Sequence, residues 1–128
     1  AAATNGQLEL VRELLRRGAS VDLPSGLGST ALMHAAIYDH VPILLFLLQH
    51  SADPDLQDID GDTALMGTAH EGNEPCVQAL LRAKADPDLQ AATGFTALME
   101  AADKGHEACV QALLRAKANT DLQDKDGI

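Results

Sequence analysis

Gly61-Asp62-Thr63-Ala64-Leu65-Met66 has a counterpart 33 residues earlier, Gly28-Ser29-Thr30-Ala31-Leu32-Met33, and another 33 residues later, Gly94-Phe95-Thr96-Ala97-Leu98-Met99. The same interval links Asp55-Leu56-Gln57 to Asp88-Leu89-Gln90 and to Asp121-Leu122-Gln123, and carries the turn glycine on to Gly127. A fixed period of this length marks stacked units, each burying its apolar face on the next, rather than one closed core.

One unit, Gly61 to Thr93, shows what each contains. Thr63 is a good helix cap, and Leu65, Met66 and Ala69 follow at helical spacing. Glu71-Gly72-Asn73 breaks the pattern, with Gly72 suited to a left-handed helix end. Pro75 fits the first turn of a second helix, where its missing N–H costs nothing. Cys76, Val77, Ala79, Leu80 and Leu81 supply that helix's apolar face, and Arg82 and Lys84 fall at its end, where cations suit the dipole. Ala85 to Gln90 is an extended loop leading to the turn before Gly94. The first helix spans about eight residues, too few to stand alone in water, so its neighbours must hold it.

These residues resemble the ankyrin repeat, a 33-residue unit with the signature Thr-Pro-Leu-His-x-Ala. It reads here Thr30-Ala-Leu-Met-His-Ala, Thr63-Ala-Leu-Met-Gly-Thr and Thr96-Ala-Leu-Met-Glu-Ala. The later half of the family pattern matches Leu14-Leu15-Arg16-Arg17-Gly18-Ala19-Ser20-Val21-Asp22 and recurs from Leu47, Leu80 and Leu113. The resemblance implies an all-α solenoid of stacked helix-turn-helix units with extended, hairpin-like loops. It implies one domain over 1–128: a partial repeat over about 1–27, repeats at 28–60, 61–93 and 94–126, and the start of another at 127–128. Ala2-Ala3 align with Ala35-Ala36, which places the chain's start inside the first helix of a first repeat and suggests a fragment of a longer protein.

Departures from the family pattern carry their own expectations. Met33, Met66 and Met99 stand where the family has His, so the usual Thr–His hydrogen bonding gives way to packing. The loop glycine survives as Gly18 but becomes Ser51, Lys84 and Lys117, which must then accept a positive φ.

Composition narrows the function. The chain has 128 residues, net charge −10 and only 2% aromatic residues, so Leu, Ala, Val and Met must build the core. A basic stripe for phosphates is absent, which argues against nucleic acid, and the negative charge opposes an anionic membrane surface. The longest apolar run, Ile43 to Leu48, falls far short of the ~20 residues that a membrane span needs. No basic-then-apolar leader opens the sequence. Cys76 and Cys109 occupy one register, and neighbouring helices at roughly 8–10 Å exceed disulfide reach. Both are expected to be buried and reduced, consistent with an intracellular, cytoplasmic setting.

Chemical constellations are few. Asp58-Ile59-Asp60-Gly61-Asp62 looks like the start of a calcium loop, but loop position 12, a bidentate Glu in such sites, is Ala69 here. The stretch reads as a turn in which Asp fixes the backbone. His34, His40, His50, His70 and His106 form no convincing ligand set, and His40 and His106 share a structural position before a second helix. No phosphate loop, Ser/His/Asp order or paired carboxylates emerge, so no enzyme activity, metal or cofactor is expected. The loop aspartates at 53, 55, 58, 60, 62, 86, 88, 121, 124 and 126 either solvate the turn tips or form a negative edge that steers a basic partner.

The resemblance implies recognition of a protein or peptide through the concave side, that is, the turn tips and the exposed faces of the first helices. Positions that differ between otherwise similar repeats point there too: Ser29, His34, Ile37, Tyr38, Ile59 and Asp60 in one, Asp62, His70 and Glu71 in the next, and Phe95, Glu100, Asp103 and Lys104 in the last. Gly67 also differs from its register-mate Glu100. Tyr38 and Phe95, rare aromatics in this chain, are candidate anchors, and Phe95 can alternatively pack its own turn. Leu45, in the place of Gln78, is expected on the outer face. Alternatives are a regulatory or targeting module of a larger enzyme or channel, or an engineered binder; Pro42, the cysteines and the irregular second repeat favour a natural origin. The last repeat carries no polar capping version of itself, which suggests end-to-end self-association.

Overall fold

The computed structural model describes residues 2–18, 20–125 and 127. The expectations that touch Ala19, Asp126 and Ile128 lie outside them. Among the described residues seven helices follow one another: α1 Ala2–Arg16, α2 Ala31–Ile37, α3 Val41–Gln49, α4 Ala64–Glu71, α5 Glu74–Arg82, α6 Ala97–Asp103 and α7 Glu107–Arg115. No strand occurs among the described residues. The helices form two rows. The first helices α2, α4 and α6 touch in that order, the second helices α1, α3, α5 and α7 do likewise, and α2·α3, α4·α5 and α6·α7 are the antiparallel pairs within repeats.

Local chemistry sets the helix ends. The Oγ1 of Thr30, Thr63 and Thr96 accepts from the backbone N–H of Met33, Met66 and Met99 at 3.3, 3.2 and 3.3 Å. Pro42 and Pro75 sit in the first turns of α3 and α5. Gly72 ends α4 in the left-handed region at φ 78°. Ser51, Lys84 and Lys117 take the expected positive φ, at 68°, 69° and 63°. Asp39 joins them at 58°, and its carboxylate accepts from the Cys76 thiol at 3.6 Å.

Between the rows, Leu32, Leu44, Leu47, Leu65, Leu80 and Leu113 are fully buried, each contributing about 1.5–3 kcal/mol by leaving water. Ala36, Ala69 and Ala101 are fully buried as well, and their small side chains let the first helices approach closely. Cys76 and Cys109 are buried and free. Burial, then the nearby Asp39 carboxylate, pushes the Cys76 thiol up to about 12; burial and then Glu74 raise that of Cys109.

Two sequence expectations change. Ala2 and Ala3 do not belong to a separate first helix: they run into the single helix α1, because no proline and no left-handed residue interrupts the backbone between them and Arg16. Methionine at the family's His position also offers more than packing in one repeat, where Met33 Sδ accepts from the Thr30 N–H at 3.4 Å and closes a reciprocal cap.

Candidate functional site

The turn tips and the first-helix row form one continuous surface, held in register by hydrogen bonds between repeats. Each tip donates to its predecessor: the Ile59 N–H to the Leu27 carbonyl, the Ala92 N–H to that of Asp60 and the Lys125 N–H to that of Thr93, at 2.9–3.0 Å. Gln57 Nε2 donates to the carbonyls of Gly61 and Gln90, and Gln90 Nε2 to those of Gly94 and Gln123.

The loop aspartates take part in this ladder, a role that neither solvation nor steering describes. Carboxylates of Asp22, Asp55 and Asp88 accept from the backbone N–H of Asp53, Asp86 and Asn119 in the next repeat, at 2.9, 2.8 and 2.7 Å. Asp53 and Asp86 accept within their own loops. Asp58 Oδ1 accepts from the N–H of both Asp60 and Asp62 at 2.9 Å, the turn-fixing role expected of it. Ligand oxygens of Asp58, Asp60 and Asp62 lie within 4.8 Å of one another, while Ala69 is buried in α4 and offers no ligand.

A groove of about 310 Å³ opens between α2 and α4 and reaches α6. Its floor is Met33, Met66 and Gly67, its wall Ile37 and Ser29, and its rim Asp58, Asp62, His70, Glu71 and Glu100. On its floor Gly67 stands where the neighbouring repeats carry His34 and Glu100. A Cβ built on Gly67 would come within 2.9 Å of Ile37 Cγ1. Across the groove His70 Nδ1 donates to Glu100 Oε2 at 2.8 Å. Partial burial, then the charges of Asp58, Glu100 and Asp60, raises the Asp62 carboxyl above its ordinary range, and His70 opposes them.

Six of the thirteen residues singled out in the sequence therefore meet in one place: Ser29, Ile37, Asp62, His70, Glu71 and Glu100. The others do not. His34 and Tyr38 stack at 6.2 Å and 13° beside a separate depression that includes His40; Tyr38 is 64% exposed. Phe95 and Asp103 line a third depression, with Leu98 and Leu122, on the face beyond α6. Phe95 is half-buried, and its backbone N–H donates to Thr93 Oγ1. Ile59, Asp60 and Lys104 are exposed outside all three depressions. Leu45 is exposed on the second-helix row as expected.

Sequence reasoning missed the floor. Met33 and Met66 read as core and are buried, yet they line the groove. The signal was the Gly67 gap in the His–Gly–Glu register. His106 proves structural: its Nε2–H donates to the His70 carbonyl at 2.9 Å, over Gly72. Asn73, in the same register, donates to the carbonyls of Ala36 and Ile37.

No helix among the described residues is long and apolar enough to cross a membrane. No curated protein matches the chain. A sequence profile described as ankyrin repeats (3 copies) matches residues 1–58 and 45–126. With nearly the whole chain matched, and with paired helices stacked in two rows at the 33-residue period, the chain belongs to the ankyrin-repeat family.

Proposed function

We propose that the chain recognises a partner protein or peptide through the concave side formed by its turn tips and first helices. Ankyrin repeats are generally protein–protein interaction modules and typically non-catalytic. The observation that carries the reading here is the groove at Gly67, where six positions that vary between repeats converge on an apolar floor with an acidic rim. Such a surface is pre-formed, so binding costs little ordering of the module itself. The rim and the net charge of −10 favour a basic partner, which they attract over distance.

Affinity capture tests this directly. The chain is used as bait, with Tyr38→Ala and Asp60→Lys as concave-side variants and Leu45→Asp as a variant of the opposite row. A partner lost with the first two and kept with the third supports the reading. A partner lost only with Leu45→Asp places recognition on the second helices.

A second reading concerns the face beyond α6. Leu114 is 41% exposed and Leu98 only half-buried, whereas Leu65, the register-mate of Leu98, is fully buried. We infer that in the 128-residue chain this face supports end-to-end association. Sedimentation that shifts with concentration in the native chain, but not in Leu98→Glu, supports it; a monomer at all concentrations overturns it.

A further inference from the structure

We propose that the groove at Gly67 receives one arginine side chain from an extended segment of the partner, its guanidinium between Asp62, Glu71 and Glu100 and its stem along Met33, Met66 and Ile37. This rests on the concave-side reading and names the chemistry the groove selects.

Shape is the first argument. Gly67 lines the groove without a side chain, and even a methyl group there would meet Ile37. The groove is floored by two thioethers and walled by the flank of an isoleucine, surfaces that suit an aliphatic stem.

Charge is the second. Of the four carboxylates on the rim, Asp58 already accepts two backbone N–H groups. Glu100 shares one oxygen with His70. Asp62 and Glu71 have no side-chain hydrogen-bond partner among the described residues. Burial does most to raise the Asp62 carboxyl, and the neighbouring charges of Asp58, Glu100 and Asp60 add to it against the opposing His70. A cation in the groove would relieve this repulsion.

Arginine fits better than lysine. Its planar fork can engage two carboxylates at once, and it sheds water more readily than an ammonium.

The test is selection of a displayed random dodecapeptide library on the native chain, followed by affinity measurement with the selected peptides. Gly67→Gln fills the groove with a neutral side chain shaped like the register-mate Glu100 and leaves every charge in place. The expected result is a shared arginine whose replacement by citrulline weakens binding about tenfold or more, with a comparable loss in Gly67→Gln and a smaller loss on replacement by lysine. Thermal melting checks that Gly67→Gln is folded; should it not fold, Asp62→Asn with Glu100→Gln gives the same readout. Peptides that lose affinity for Tyr38→Ala or Asp60→Lys, but share no arginine or ignore Gly67→Gln, overturn the arginine site and leave the concave-side reading intact. Peptides indifferent to every concave-side variant, or no selected peptide at all, count against both.

Discussion

Replacing Gly67 by alanine separates shape from stability. Gly67 lies inside α4, where glycine is about 0.8–1.0 kcal/mol less favourable than alanine. The added methyl would sit 2.9 Å from Ile37 Cγ1 and 3.4 Å from Cδ1, so Ile37 must yield by a few tenths of an ångström. Ile37 ends α2 and is 39% exposed, which lets it turn at a cost near the lower end of the ~0.5–1.5 kcal/mol of a distorted rotamer. The net expectation is a gain of about 0.5 kcal/mol in Gly67→Ala. That corresponds to roughly 2 °C in melting temperature for a chain of this size. Urea unfolding with an unchanged m-value, and a thermal melt, read it out. A gain in stability with a shallower groove means that glycine is kept there for the recess and not for the fold. A loss beyond about 1 kcal/mol, on the scale of a typical destabilising substitution, would refute the reasoning. The close approach of α2 to α4 would then demand the glycine, and the groove would be a by-product of packing.

Tyr38→Ala should leave stability within about 0.5 kcal/mol, as exposed substitutions do, while weakening partner binding by about 1–2 kcal/mol. Phe95→Ala should also cost stability, about 1.5–2.5 kcal/mol or half the loss of a fully buried ring, seen by denaturant unfolding. Asp55→Ala removes the acceptor of the Asp86 N–H and should cost about 1.5–3 kcal/mol, as loss of a hydrogen bond to a charged group does; Asp60→Ala at the exposed tip should cost far less, and equal losses would reduce the aspartate ladder to surface charge. The Cys76 thiol, raised from 9.0 to about 12, favours the folded state fully below pH 9 and loses that contribution as pH climbs toward 12. Unfolding curves should fall across that window less steeply in Cys76→Ala, and thiol reagent should react slowly with the native chain near neutral pH.

The repeat architecture was legible because its cues are local. A threonine cap, a proline in a first turn and a left-handed glycine act within a few residues, and the 33-residue period multiplied each of them. The same period exposed Ser51, Lys84 and Lys117 as positive-φ positions without glycine. What escaped depends on which neighbour a residue meets. The Asp55 carboxylate looks like any loop charge until stacking brings the Asp86 N–H to 2.8 Å. Tyr38 and Phe95 read as a pair because both are aromatic, yet the depressions they line lie at opposite ends of the first-helix row, one against α1 and α2 and the other beyond α6. The groove lies beside a position without a side chain and becomes a feature only when Ile37, Met33 and Glu100 are placed around it.

Amide hydrogen exchange of the chain, free and bound to a captured partner, tests the central claim most directly. Recognition on the concave side brings new protection to the turn tips at 58–62 and 91–95 and to α2, α4 and α6, strongest around Gly67, with α3, α5 and α7 unchanged. Protection confined to α3, α5 and α7 would contradict it.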